Sequence, residues 1–170
     1  MTPHLLILVR HAKAMPHDYC ADRDRPLDGH GREQARSTGE ALAESGLLPE
    51  GLHVWCSPSA RTRETLEGLQ PSLPADTKTL IVESLYEADT ALLSEMLRET
   101  PEAVEALMIV GHNPTIGEMA HELLSASTDH PDVTILLSGF PTGSAAVFRV
   151  NSDWAGLSPA TSKLIFHTIP

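Results

Sequence analysis

Apolar residues fall along this chain in short runs that alternate between two spacings. Residues 5–9, LLILV, are unbroken aliphatic, as in a strand buried on both faces, and they run straight into Arg10 and His11. In the stretch 27–46, LDGHGREQARSTGEALAESG, residues Ala35, Thr38, Gly39 and Leu42 share one helical face and Gly46 supplies a stop. LHVWCS (52–57) predicts a second strand, with Pro58 suited to the first position of a helix over 61–69. KTLIVES (78–84) predicts a third strand, and Leu92, Leu93, Met96 and Leu97 mark a short amphipathic helix. EALMIVGHN (105–113) predicts a fourth strand, followed by Ile116, Met119, Ala120, Leu123 and Leu124 at helical spacing. After a turn-rich stretch, SAAVFRV (144–150) and KLIFHT (163–168) predict two further strands.

Strands separated by helical segments of this length predict parallel β-α-β units. The expected fold is three-layer α/β/α, with a mostly parallel central sheet and helices on both faces. No repeat, low-complexity tract or linker divides the chain, so residues 1–170 are expected to form one domain. Such sheets bind ligands beyond the carboxyl ends of their strands. There the sequence places Arg10 and His11 after the first strand, Ser57 and Arg61 after the second, and Gly111 and His112 after the fourth. The third strand ends at Glu83.

The formal net charge of −11 opposes any sequence-independent grip on nucleic acid and any attraction to anionic membranes. An anionic substrate therefore needs a local cluster of arginines. The longest apolar run is too short for a membrane span or a signal-peptide core. Cys20 and Cys56 form no CxxC pair, and a reduced, cytoplasmic protein with inert thiols is expected. No GxxxxGK[ST] loop occurs.

Two histidines and several arginines at one sheet edge suit phosphoryl transfer. Arginine matches phosphoryl oxygens with planar, paired donors, and a neutral imidazole can act as nucleophile through one nitrogen while the other is held as N–H. A metal held by His11, His17 and Cys20 fits no common zinc spacing, and adjacent arginines would oppose a cation, so no metal is expected. The other seven histidines, His4, His17, His30, His53, His121, His130 and His167, read as solvated or structural. The spacing alone thus describes an α/β protein with an anion site.

LVRHAKA (8–14) resembles the Arg-His-Gly signature of the histidine phosphatase superfamily, the phosphoglycerate-mutase-like proteins. CSPSARTRETL (56–66) is similar to its Ser-Pro-x-x-Arg-x-x-x-Thr segment, and VGHNPTIG (110–117) to the region of its second histidine. DRDRPLDGHGREQA (22–35) and FPTGSAAVF (140–148) resemble most the compact SixA-type phosphohistidine phosphatases. The resemblance implies a transiently phosphorylated nucleophile at His11, phosphoryl binding by Arg10, Arg61 and the additional Arg25, and a hydrogen bond from His112. It implies no cofactor and no metal, the arginines and His112 supplying the positive field. Ala12 stands where the family has glycine. Glu83, with Glu87 and Asp89 close by, is the nearest match to the family's leaving-group acid, which would need a raised pKa.

Only some two dozen residues, mostly one short helix, lie where larger members insert a lid. An open site accepts a phosphate displayed on a protein and holds a small sugar phosphate poorly. A phosphohistidine-bearing protein is accordingly the first expected substrate and a small phosphate ester the second. A mutase, which must keep its intermediate from water, ranks lower. A non-catalytic phosphate-binding module on the same fold is the alternative of a different class. The sequence leaves the oligomeric state open.

Overall fold

The computed structural model describes residues 2–124 and 129–170. In chain order the elements are β1 (His4–Arg10), α1 (Gly29–Glu44), β2 (His53–Cys56), α2 (Ala60–Leu69), β3 (Lys78–Ile81), α3 (Thr90–Arg98), β4 (Ala106–Gly111), α4 (Thr115–Leu124), α5 (Val133–Ser138), β5 (Ala145–Val150) and β6 (Ser162–Thr168). Their strands form one sheet in the order β3-β2-β4-β1-β5-β6. The pairs β1–β4, β2–β4 and β2–β3 are parallel, whereas β1–β5 and β5–β6 are antiparallel.

Strand alternation divides the core in two. Leu6 and Leu8 of β1 with Leu107 and Ile109 of β4 pack on one face against Leu93 and Leu97 of α3, Ile116, Met119 and Leu123 of α4, and Leu136 of α5. Ile7 and Val9 with Met108 and Val110 pack on the other against Leu42 of α1 and Leu66 and Leu69 of α2. Burial on both faces explains why these strands read as continuous apolar runs. The three-layer expectation is met.

Three local expectations are corrected. Pro58 is not the first helical residue: α2 starts at Ala60, and the Ser59 hydroxyl, accepting from the Thr62 N–H, caps it. The third strand stops at Ile81 with all four residues exposed, because β3 is an edge strand paired only to β2. Glu83 instead opens a 3₁₀ turn, Glu83–Tyr86. The turn-rich stretch before β5 contains α5, while its residues 125–128 lie outside the described residues.

One close approach positions the loop between β1 and α1. A Cβ added to Gly31 would lie 1.9 Å from the Lys13 carbonyl oxygen, so only glycine allows α1 to seat on this loop. The same carbonyl accepts from the Asp28 N–H at 3.0 Å, and the Asp28 carboxylate caps α1 by accepting from the Gly31 N–H at 2.7 Å. Gly31→Ala is expected to destabilise the fold by about 1–3 kcal/mol through backbone displacement. Urea denaturation against Gly29→Ala, where a Cβ meets nothing within 4 Å, measures the contrast.

Candidate active site

β1 and β4 pair in step, Arg10 opposite Gly111, and the His11 N–H donates to the Gly111 carbonyl at 2.9 Å. The residues that follow the two strands, His11 and His112, therefore emerge side by side, with ring centroids 5.4 Å apart. The Ser57 N–H donates to the Val110 carbonyl, bringing the end of β2 to the same edge.

His11 Nδ1 lies 2.7 Å from the Ala12 carbonyl oxygen. A carbonyl only accepts, so the proton sits on Nδ1 and the Nε2 lone pair is free. Burial, with His112, Arg61 and Arg10 adding to it, pushes the imidazole down to about 3 against the pull of the Ala12 carbonyl. The ring is neutral at physiological pH. Ala12 fits where glycine was anticipated: its methyl is fully buried and packs with Leu27 and Ala35, and its N–H donates to Thr65 Oγ1 at 2.9 Å.

His112 Nε2 lies 2.7 Å from Ser57 Oγ, and burial, with Arg61 next, lowers its pKa to about 4. Its Nδ1 is buried and has no hydrogen-bond partner among the described residues. The same holds for the Nε atoms of Arg10, Arg25 and Arg61. Four ring or guanidinium nitrogens of the residues around His11 thus lie buried without a hydrogen-bond partner among the described residues. A cavity of about 370 Å³ is lined by Arg10, His11, Arg25, Arg61, His112 and Asp22, among others.

The guanidinium groups are held from behind. Arg10 Nη1 donates to the Phe140 carbonyl at 2.9 Å, Arg25 Nη1 to the Met15 carbonyl at 2.9 Å and Arg61 Nη1 to the Asp22 carbonyl at 2.7 Å. The structure thus brings together five of the six residues anticipated from sequence. Two more are added that the sequence reading passed over. The Asp22 carboxylate accepts from Arg25 Nη2 at 3.0 Å, Arg61 Nη2 at 3.1 Å and Tyr86 Oη at 2.6 Å. Tyr86 in turn stands edge-on to His112, centroids 5.8 Å apart. The spacing of Asp22 three residues before Arg25 was a usable signal; Tyr86 had none.

Glu83 is the residue the structure does not bring in, and its expected role as acid is corrected. Its side chain is 70% exposed and receives both Arg23 Nη groups, Nη2 at 2.8 Å, in a separate recess with Tyr86 and Leu92. Arg23 holds the carboxyl below its ordinary range, the reverse of what a proton donor needs. Glu87 and Asp89 are also exposed, and Asp89 caps α3 by accepting from the Leu92 N–H. Of the two cysteines, Cys56 is buried, which pushes its thiol up to about 12, and Cys20 is exposed. Among the described residues no cluster of metal-ligating side chains occurs, and no helix is long and apolar enough to cross a membrane.

With this geometry, the chain's relatives become informative. Residues 6–125 match the histidine phosphatase superfamily (branch 1), and the chain belongs to that superfamily. An uncharacterized protein of Mycobacterium tuberculosis is 34% identical over 163 residues, spanning 95% of this chain and 99% of that one. Among solved structures, a Nakamurella multipartitia protein named for the phosphohistidine phosphatase SixA superposes with a TM-score of 0.82 at 29% identity, covering 100% of this chain and 98% of that one. An Agrobacterium tumefaciens protein of the same designation gives 0.78 at 26% identity, with 100% of each chain covered. A Plasmodium falciparum phosphoglycerate mutase shares the fold at a TM-score of 0.63 and 19% identity, with 98% and 91% covered.

Two outcomes follow from the charges. The folded state holds His11 and His112 neutral, so the unfolded chain binds more protons between pH 6.5 and about 3. Stability is fully present above pH 6.5 and is lost as pH falls through that window. Urea titrations are expected to give a steeper decline for the wild type than for His11→Gln. Glu83→Gln is expected to change alkyl phosphate turnover by less than about threefold, against the roughly 10²–10⁴-fold loss that removal of a general acid brings; steady-state kinetics decides.

Proposed function

We propose that the protein is a phosphatase that passes a phosphoryl group through His11, with phosphohistidine on a protein as the substrate. The observation that carries this reading is the His11 ring: Nδ1–H is tied to the Ala12 carbonyl, inside a cavity shared with Arg10, Arg25 and Arg61. In the first step Nε2 attacks phosphorus, the substrate's P–N bond breaks, and the phosphoryl moves to His11. The leaving imidazole keeps its other ring proton and departs neutral. In the second step water attacks phosphorus and the P–Nε2 bond breaks. The water's proton goes to the phosphate product, and His11 departs as the same neutral Nδ1–H tautomer.

The Ala12 carbonyl stabilises the cationic phosphoimidazole between the two steps. Arg10, Arg25 and Arg61 match the charge on the transferred oxygens, held in place before the reaction and so requiring little reorganisation. A Ser57 hydroxyl donating to His112 Nε2 leaves the His112 proton on Nδ1.

A protein substrate is favoured by the short connection where a lid would stand: residues 82–105 hold only the Glu83–Tyr86 turn and α3 before β4 begins. A small phosphomonoester is the second reading, favoured by an apolar recess of about 280 Å³ next to the site. Leu85, Leu93, Ile109 and Ile116 line it, and it shares His112 and Asn113 with the His11 cavity.

His11→Ala is expected to lower turnover by more than about 10³-fold, the scale of losing a nucleophile. Trapped phosphoenzyme is expected to survive base and decay in acid, as a phosphoramidate does; a base-labile adduct contradicts a histidine nucleophile. A panel of phosphohistidine protein, aryl phosphate and sugar phosphates ranks the two substrate classes by kcat/KM. A wild type that binds phosphate but turns over nothing supports the non-catalytic module.

A further inference from the structure

Asp22 is an anion set among the arginines that are to receive an anion. Its carboxylate bridges Arg25 on its own loop and Arg61 on α2, and accepts the Tyr86 hydroxyl from across the site. The side chain is 49% exposed and also lines the His11 cavity, so it stands at the mouth, between solvent and the phosphoryl pocket. Tyr86, Arg25 and Arg61 hold it ionised, well below the usual carboxylate range. Arg10, His11, Lys13, His17 and His112 are the other titratable or charged groups facing this cavity.

A carboxylate fixed in this form donates no proton. An ester whose alkoxide must be protonated gains nothing from it and is repelled where its negative charge grows. A phosphorylated imidazole differs, because its reactive form carries a proton on the ring nitrogen away from phosphorus, giving a cationic ring with an N–H to donate. An acceptor at the mouth stabilises that form. Neither Glu83, paired with Arg23, nor the Tyr86 hydroxyl, already given to Asp22, supplies an acid that would favour the ester instead.

Resting on the phosphohistidine reading above, we infer that Asp22 is the specificity-determining residue of the site, accepting the N–H of a protonated nitrogen leaving group and so selecting phosphoramidates over phosphate esters. Arg10, Arg25 and Arg61 grip the phosphoryl oxygens of either class. Asp22 is the one carboxylate among the described residues lining the cavity, and it reads the leaving atom.

The test compares kcat/KM for a phosphohistidine peptide and for 4-nitrophenyl phosphate in wild type, Asp22→Asn and Tyr86→Phe. Asp22→Asn is expected to lower the phosphohistidine-to-ester ratio by about tenfold or more, the loss of one charge-assisted hydrogen bond. Tyr86→Phe keeps the carboxylate and its charge, and is expected to keep the ratio. In the wild type, kcat on the peptide falls as pH rises through the titration of the bound ring. Asp22→Asn is expected to move that fall to lower pH, which a merely structural substitution would not do. Equal losses on both substrates, or an unmoved pH limb, overturn the role of Asp22 and leave the phosphohistidine reading standing. A wild type that hydrolyses the ester but not the peptide overturns both.

Discussion

His11 and His112 meet because β1 and β4 run parallel and in step at the centre of the sheet. The hydrogen bond from the His11 N–H to the Gly111 carbonyl is the last rung of that ladder, and beyond it each chain turns away carrying a histidine. A slip of one residue would send His11 to the opposite face and exchange the two apolar sets of β1. Leu6 and Leu8 would then face α1 and α2, while Ile7 and Val9 would face α3 and α4. The buried layers on both sides therefore enforce the register that the chemistry needs.

The same packing explains the electrostatics. Arg25 and Arg61 are 6% and 7% exposed, so their charges act through little water. Buried guanidinium groups need partners, and backbone carbonyls of Met15 and Asp22 supply them without neutralising charge. Among the described residues lining the cavity, Asp22 is the one that contributes a full opposing charge, which lowers the sum of three arginines toward that of a phosphoryl dianion. Burial then keeps both histidines neutral, which leaves the His11 Nε2 lone pair free.

Much of this was legible in the sequence because the central strands are buried on both faces, where continuous apolar runs are unambiguous. Arg10, His11, Arg61 and His112 followed from the rule that strand ends carry ligands, and Arg25 from motif resemblance. What escaped depended on contacts distant along the chain. Glu83 lies outside the lining of the His11 cavity, paired through both oxygens with Arg23, sixty residues earlier. Asp22 enters the site only once Arg61 and Tyr86, from two other segments, are placed around it. VTILLS of α5 is six residues long, too short for helical periodicity to stand out from a buried run.

The loop between β1 and α1 carries Asp22 and Arg25, and it is fastened from several directions. The Ala14–Leu27 bridge closes it on itself, Gly31 lets α1 sit against Lys13, and the Leu27 N–H donates to Glu64 of α2. Arg23 with Glu83 and Asp22 with Tyr86 tie its tip to the turn after β3. Glu83 is thus a partner of the loop tip and does not line the His11 cavity. Fixing the wall from behind leaves the mouth of the cavity clear while Arg25 and Arg61 stay preorganised, so an anion entering it meets charges that need little rearrangement.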